Sequence, residues 1–135
     1  MNIAACIDYL FPGIDFRVEC VLRNDGAETY IARWSRPEPQ PTAAEIAASE
    51  LPASKALAIA ANRSECSRRI YARYPAGRQS SVALGIYSGA EAEAQAKTMK
   101  DWISDMVAAE NTAADAIEAA TTVAAVEAVT VAWPV

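Results

Sequence analysis

The sequence predicts an α+β fold that is mainly helical. Three observations carry this. Two β-forming segments flank a strong turn at Asn24-Asp25-Gly26. Five residues with alternating prolines, Pro37-Glu38-Pro39-Gln40-Pro41, then interrupt any sheet. Beyond them run long stretches almost free of Gly and Pro, with apolar residues at helical spacing. The expected order is a short helix plus β-hairpin over 1–36, a Pro-rich tether over 37–41 and a helical region over 42–135. The helical region would hold a helical hairpin or extended helices, with a short C-terminal strand left open.

Each element has its reason. Ile3, Ala4, Ile7 and Leu10 repeat at helical spacing, and Pro12-Gly13 stops that helix. Asp15 to Leu22 alternates, with Phe16, Val18, Cys20 and Leu22 on one face of a strand. Arg23-Asn24-Asp25-Gly26 supplies residues that tolerate positive φ, so the chain turns back. Thr29 to Trp34 returns as a second strand, with Tyr30, Ala32 and Trp34 expected on a common face. Each Pro of the tether lacks the N–H that a ladder needs, and the alternation favours polyproline II. Thr42 with Glu45 three residues on forms a capping box, which opens a helix at Ala43. Pro52 should break it near Glu50, with Ser54 capping a second segment to Tyr74. Ile59, Cys66, Ile70 and Tyr74 lie along one side of that segment. Residues 78–89 read as a turn plus a short helical or extended piece.

Ala90 to Ala120 is the longest helical pattern. Met99, Ile103, Met106, Ala113, Ile117 and Ala120 follow one stripe, Trp102 lies beside it, and Glu110 interrupts it. From Val123 on, valines and Trp133 are β-formers, so a final strand over 129–133 and a frayed tail are equal alternatives.

Composition narrows the function classes. At 135 residues one domain is the natural size, and 53 % of residues are hydrophobic, but 31 are Ala. Ala stripes bury little area each, so a second chain is expected to contribute burial. Net charge is −5, and residues 91–135 hold eight acids against Lys97 and Lys100. That balance argues against nucleic acid and anionic membranes as partners. Arg63, Arg68, Arg69, Arg73 and Arg78 read as a solvated helix face. No run reaches the ~20 apolar residues that span a bilayer, and the sequence has no signal peptide pattern.

Catalytic chemistry finds little to work with. The sequence has no His, and Cys6, Cys20 and Cys66 have no CxxC spacing. They read as three reduced, buried thiols of a protein made in the cytosol, with neither a metal site nor a cofactor expected. Ser64, Ser67, Ser80 and Ser81 have no His to activate them, and the glycines match no phosphate-binding loop. The pairs Asp101 with Asp105 and Glu91 with Glu93 read as solvated helix faces. Trp34 and Trp102 read as core or interface anchors. No enzyme activity is expected.

The N-terminal third resembles the XkdW family of phage and prophage tail proteins. The residues that carry this are Ala5-Cys6-Ile7-Asp8-Tyr9-Leu10-Phe11-Pro12, Asp15-Phe16, Arg23-Asn24-Asp25-Gly26, Tyr30-Ile31-Ala32-Arg33-Trp34, Pro39-Gln40-Pro41-Thr42 and Ala44-Glu45-Ile46. Ser35 stands where the family has Asn after the Trp. Residues 66–111, with Tyr74-Pro75 and Trp102-Ile103, are similar in composition to helical tails of fibre-associated proteins. The resemblance implies a structural or assembly protein of the phage tail, at the fibre, either in the virion or in the host cytoplasm during assembly. A small tail-associated enzyme and a bacterial regulatory binding module are the alternatives. The expected partners are the tail fibre, another tail protein, or further copies of the chain. Tyr30 and Trp34 on the hairpin, and Met99, Trp102, Ile103, Met106 and Ile117 on the long helix, are the expected contact residues. The chain's own Ser54–Tyr74 helix is the alternative cover for that stripe.

Overall fold

The computed structural model describes residues 1–135. The elements are α1 (Ile3–Leu10), β1 (Cys20–Asn24), β2 (Thr29–Trp34), α2 (Ala43–Arg73), α3 (Ala76–Ala83), α4 (Ala90–Ala119) and α5 (Val123–Glu127). The fold is α+β and mainly helical, with one two-stranded antiparallel sheet. The chain forms two compact units, Met1–Ala58 with Ala120–Glu127, and Ile59–Ala119 with Ala128–Val135. The helix-hairpin module, the Pro-rich segment and the start of α2 all lie in the first unit.

In the first unit, the Asn2 side chain accepts from Ala5 N at 3.1 Å and caps α1. Cys6 and Ile7 are buried on its inner face. β1 begins at Cys20 rather than at Asp15. Asp15 explains the difference. Its Oδ1 accepts from Arg17 N and Val18 N at 2.7 and 3.3 Å, and its carbonyl accepts from Glu19 N at 2.8 Å. A short polar side chain that bonds its own backbone competes with a strand ladder. Val18 is therefore 62 % exposed, off the buried face it was expected to share.

The hairpin forms where the turn residues stand. Asn24 pairs with Thr29, and residues 25–28 make the loop. Asn24 Oδ1 accepts from Gly26 N at 2.7 Å, and Asp25 Oδ1 accepts from Ala27 N and Glu28 N at 2.9 and 3.0 Å. Gly26 has φ +95°, which favours glycine.

Tyr30, Ala32 and Trp34 do not share a face. Cys20 pairs with Trp34, Val21 with Arg33 and Leu22 with Ile31, so Ala32 is an extra residue on β2. This bulge shifts the alternation by one. It turns Ile31 and Trp34 toward the core and leaves Tyr30 exposed. Ile31 and Trp34 then pack with Ile7, Ile14, Cys20 and Leu22 in one cluster. Ile31 also joins Cys6, Ile46 and Ala53 in a second, which seats α1 and the hairpin on α2.

The capping box at α2 is complete: Glu45 N donates to Thr42 Oγ1 at 3.2 Å, and Thr42 N donates to Glu45 Oε2 at 2.7 Å. Those bonds hold the Glu45 carboxyl below its ordinary pKa, the Thr42 backbone bond contributing most. Pro52 does not break the helix, which runs 31 residues through it. Buried contacts on both sides, Ile46 and Ser49 before and Ala53 after, hold the backbone helical across the proline. Tertiary packing has overridden a local preference.

In the second unit, α3 ends in a Schellman motif. Ile86 N donates to the Ser81 carbonyl and Gly85 N to the Val82 carbonyl, at 3.2 and 3.1 Å, with Gly85 at φ +68°. Tyr74, Val82 and Met99 are buried together, with Ala96, Trp102 and Ile103 against them. The second half of α2 and α4 run antiparallel, since Tyr74 meets Trp102 while the Cys66 Sγ–H points at the Met106 carbonyl, 3.7 Å away. Residues 128–135 are neither a strand nor frayed: Trp133 lies under Arg69, and Trp102 Nε1 donates to the Val135 O at 3.3 Å.

Candidate functional site

The residues expected to meet a partner fall into two groups. Met99, Met106 and Ile117 retain 3, 0 and 1 % of their exposure and are core residues of this chain. Tyr74 and Val82 pack on Met99, and Cys66 lies against the Met106 carbonyl, so these two are covered within the chain. Trp102 and Ile103 are half-buried at the edge of the same cluster. Tyr30 stays 40 % exposed on the hairpin.

Trp34 is an internal anchor. Its indole N–H donates to the Glu38 carbonyl at 2.7 Å, and its ring meets Phe11 edge-on at 5.0 Å. Arg36 lies over Phe11 at 5.5 Å and forks onto Glu38 with bonds of 3.0 and 3.2 Å. The Pro-rich segment is thus clipped to the hairpin by an aromatic ring and an ion pair. Tyr30 instead faces an open groove, lined also by Ile3, Ile31, Gln40, Pro41 and Ile46. Ile3, Ile31, Pro41 and Ile46 give it apolar lining, and Glu28, Thr29 and Gln40 give it polar lining. The groove runs beside β2, which has a strand on only one of its edges.

The second unit carries charge and aromatic rings together. Glu65 holds Arg68 and Arg69 at 2.7 Å each. The Arg68 bond, then the Arg69 bond, lower the Glu65 pKa to about 2. Arg69 lies over Trp133 at 5.2 Å and Arg73 over Trp102 at 4.6 Å. Arg78 lies over Tyr74 at 5.6 Å. Arg63, Arg68, Arg73 and Arg78 are exposed, as a solvated face requires, and Arg69 is half-buried; the ring contacts are what helical spacing did not show. The only available signal was Arg69 and Arg73 one turn apart, with tryptophans far along the chain.

Glu110, which interrupts the stripe, is buried at 6 % exposure, with Arg63 at 3.6 Å. That pair is longer than a hydrogen bond, and Glu110 Oε1 has no hydrogen-bond partner. Burial, and after it the Glu110 charge, push the Cys66 thiol up. The Asp101 carboxylate is paired with Lys97 along α4. No three Cys, Asp or Glu side chains converge at metal-binding geometry, and no helix is long and apolar enough to cross a membrane.

Comparison with known proteins agrees with the first unit. Residues 3–57 match the family model of the XkdW protein. This N-terminal segment, which spans α1, the hairpin, the Pro-rich segment and the first half of α2, is XkdW-like, and the match supports a phage-related protein. No curated protein and no solved structure matches the chain.

Proposed function

We propose that this chain is a structural or assembly protein of a bacteriophage tail that works at the tail fibre, and that it acts by binding rather than by catalysis. The observation that carries the reading is the match of residues 3–57 to the XkdW family. The matched segment is a packed unit with its own buried clusters, as a docking module requires. The groove beside Tyr30 supports the same reading, because it offers apolar side chains beside a strand with a free edge to an extended segment of a tail protein. Whether the protein stays in the virion or leaves after assembly, it meets the fibre through this unit.

Co-expression with the fibre protein of the same phage, followed by chemical cross-linking and mass spectrometry, tests this. Cross-links should join the fibre to residues near Tyr30, and Tyr30→Glu should remove them while the helical content is unchanged. Cross-links that reach only α4, or none to any tail protein, would overturn the proposal.

A further inference from the structure

The geometry points to a second docking site: the open groove between the end of α2 and Trp102 binds an acidic peptide segment of a partner protein. Arg68, Arg69, Arg73, Trp102, Pro134 and Val135 line it, and the Trp102 indole N–H is already taken by Val135 O, so the arginines are the donors left for a ligand. Of the three guanidinium groups here, two pair with the Glu65 carboxylate. Glu65 engages only Arg68 and Arg69; Arg73 faces the Trp102 and Tyr74 rings, at 4.6 and 5.7 Å, and no carboxylate.

Stacking explains why this is a site and not only a charged face. A guanidinium laid on an aromatic ring keeps its N–H donors in its own plane, pointing past the ring edge. The rings fix Arg73 before any ligand arrives, so less side-chain entropy is lost on binding. A planar fork of donors fits a carboxylate with two parallel bonds. The half-buried Trp102 adds apolar surface beside it, suited to the carbon chain of a Glu or to a neighbouring aromatic residue.

A peptide fits better than a nucleic acid. The whole chain carries −5, and α4 places Asp101 and Asp105 on either side of Trp102 in sequence. A long polyphosphate would run past the arginines into that negative field, whereas a short acidic segment would not. The inference does not depend on the tail assignment.

Tryptophan emission of the full-length protein, titrated with a capped tetraglutamate peptide, reads the site, because Trp102 lines the groove and Trp133 stacks on Arg69. Tetraglutamate should change the emission at low salt and capped tetraglutamine should not. Arg73→Gln should weaken binding about tenfold or more, and Arg73→Lys, which keeps the charge but not the fork, should fall between. Circular dichroism checks that both variants fold; if Arg73→Gln does not, Arg73→Lys alone must still weaken binding. No response to tetraglutamate, or equal affinity in wild type and variants, overturns the site. Tighter binding of a thymidine tetranucleotide would assign it to phosphate instead. Salt-sensitive dimers lost in Arg73→Gln, seen by sedimentation, would assign it to a second copy of this chain.

Discussion

Replacing Pro52 by Ala tests whether α2 is one helix. Nine residues precede Pro52 in α2 and twenty-one follow it, so it stands in the helix interior. There a proline lacks the N–H that would bond the Ala48 carbonyl, its ring crowds that same turn, and Leu51 before it is driven away from helical angles. The sum is about 3 kcal/mol relative to Ala. Pro52 is half-buried, so truncation returns some of this, roughly 1 kcal/mol of lost apolar contact. The net expectation is a stabilisation of about 2 kcal/mol. With an unfolding entropy of about 2.1 cal/mol/K per residue, that raises Tm by about 7 °C in a chain of 135 residues. Thermal and urea melts followed at 222 nm measure it. If α2 were instead two helices with Pro52 in the first turn of the second, the proline would be well placed, and Ala would be neutral or destabilising. That result would refute the continuous helix.

Three further outcomes follow from the same structure. Gly26→Ala should destabilise by about 1 kcal/mol in urea melts, because φ is +95° while an added Cβ meets nothing within 4 Å, so the cost is conformational alone. The Glu65 pKa is depressed in the folded state, to about 2 from 4.5, so its ion pairs contribute stability that is complete above 4.5 and lost as pH falls toward 2; Glu65→Gln should melt below wild type at neutral pH, and the gap should close across that window. Cys6, Cys20 and Cys66 are free and buried, and burial raises the thiol pKa of both Cys20 and Cys66, so a thiol reagent should react slowly with native protein at neutral pH and titrate three groups once denaturant is added.

What was legible in the sequence was local chemistry. Thr42 and Glu45 stand three apart, and the capping box needs nothing else. Asn24, Asp25 and Gly26 made the turn because each bonds its own backbone or accepts positive φ. The misreadings were places where a distant contact decided. Alternation along Tyr30, Ala32 and Trp34 is real in the sequence. However, Cys20 and Leu22 must face Trp34 and Ile31, and only a bulge at Ala32 allows both. Pro52 reads as a break until Ile46, Ser49 and Ala53 are seen buried around it. Residues 129–133 have strand propensity but no neighbouring strand to pair with, and Trp102 and Arg69 hold the segment in irregular form. At the candidate sites, Tyr30 follows from its place on the hairpin and Trp102 from its place beside the stripe of the long helix. The Arg73 contact with Trp102 was not legible because the two lie 29 residues apart, a distance across which no periodicity speaks.

The proposed work of this protein on a phage tail is tested most directly by fractionation of assembling phage. Lysates of producing cells, separated by sedimentation and quantified by mass spectrometry, should show the protein moving with tails or with fibre intermediates. Tyr30→Glu should shift it to the top of the gradient. A protein found only at the top, with no tail component beside it in any fraction, would contradict the account.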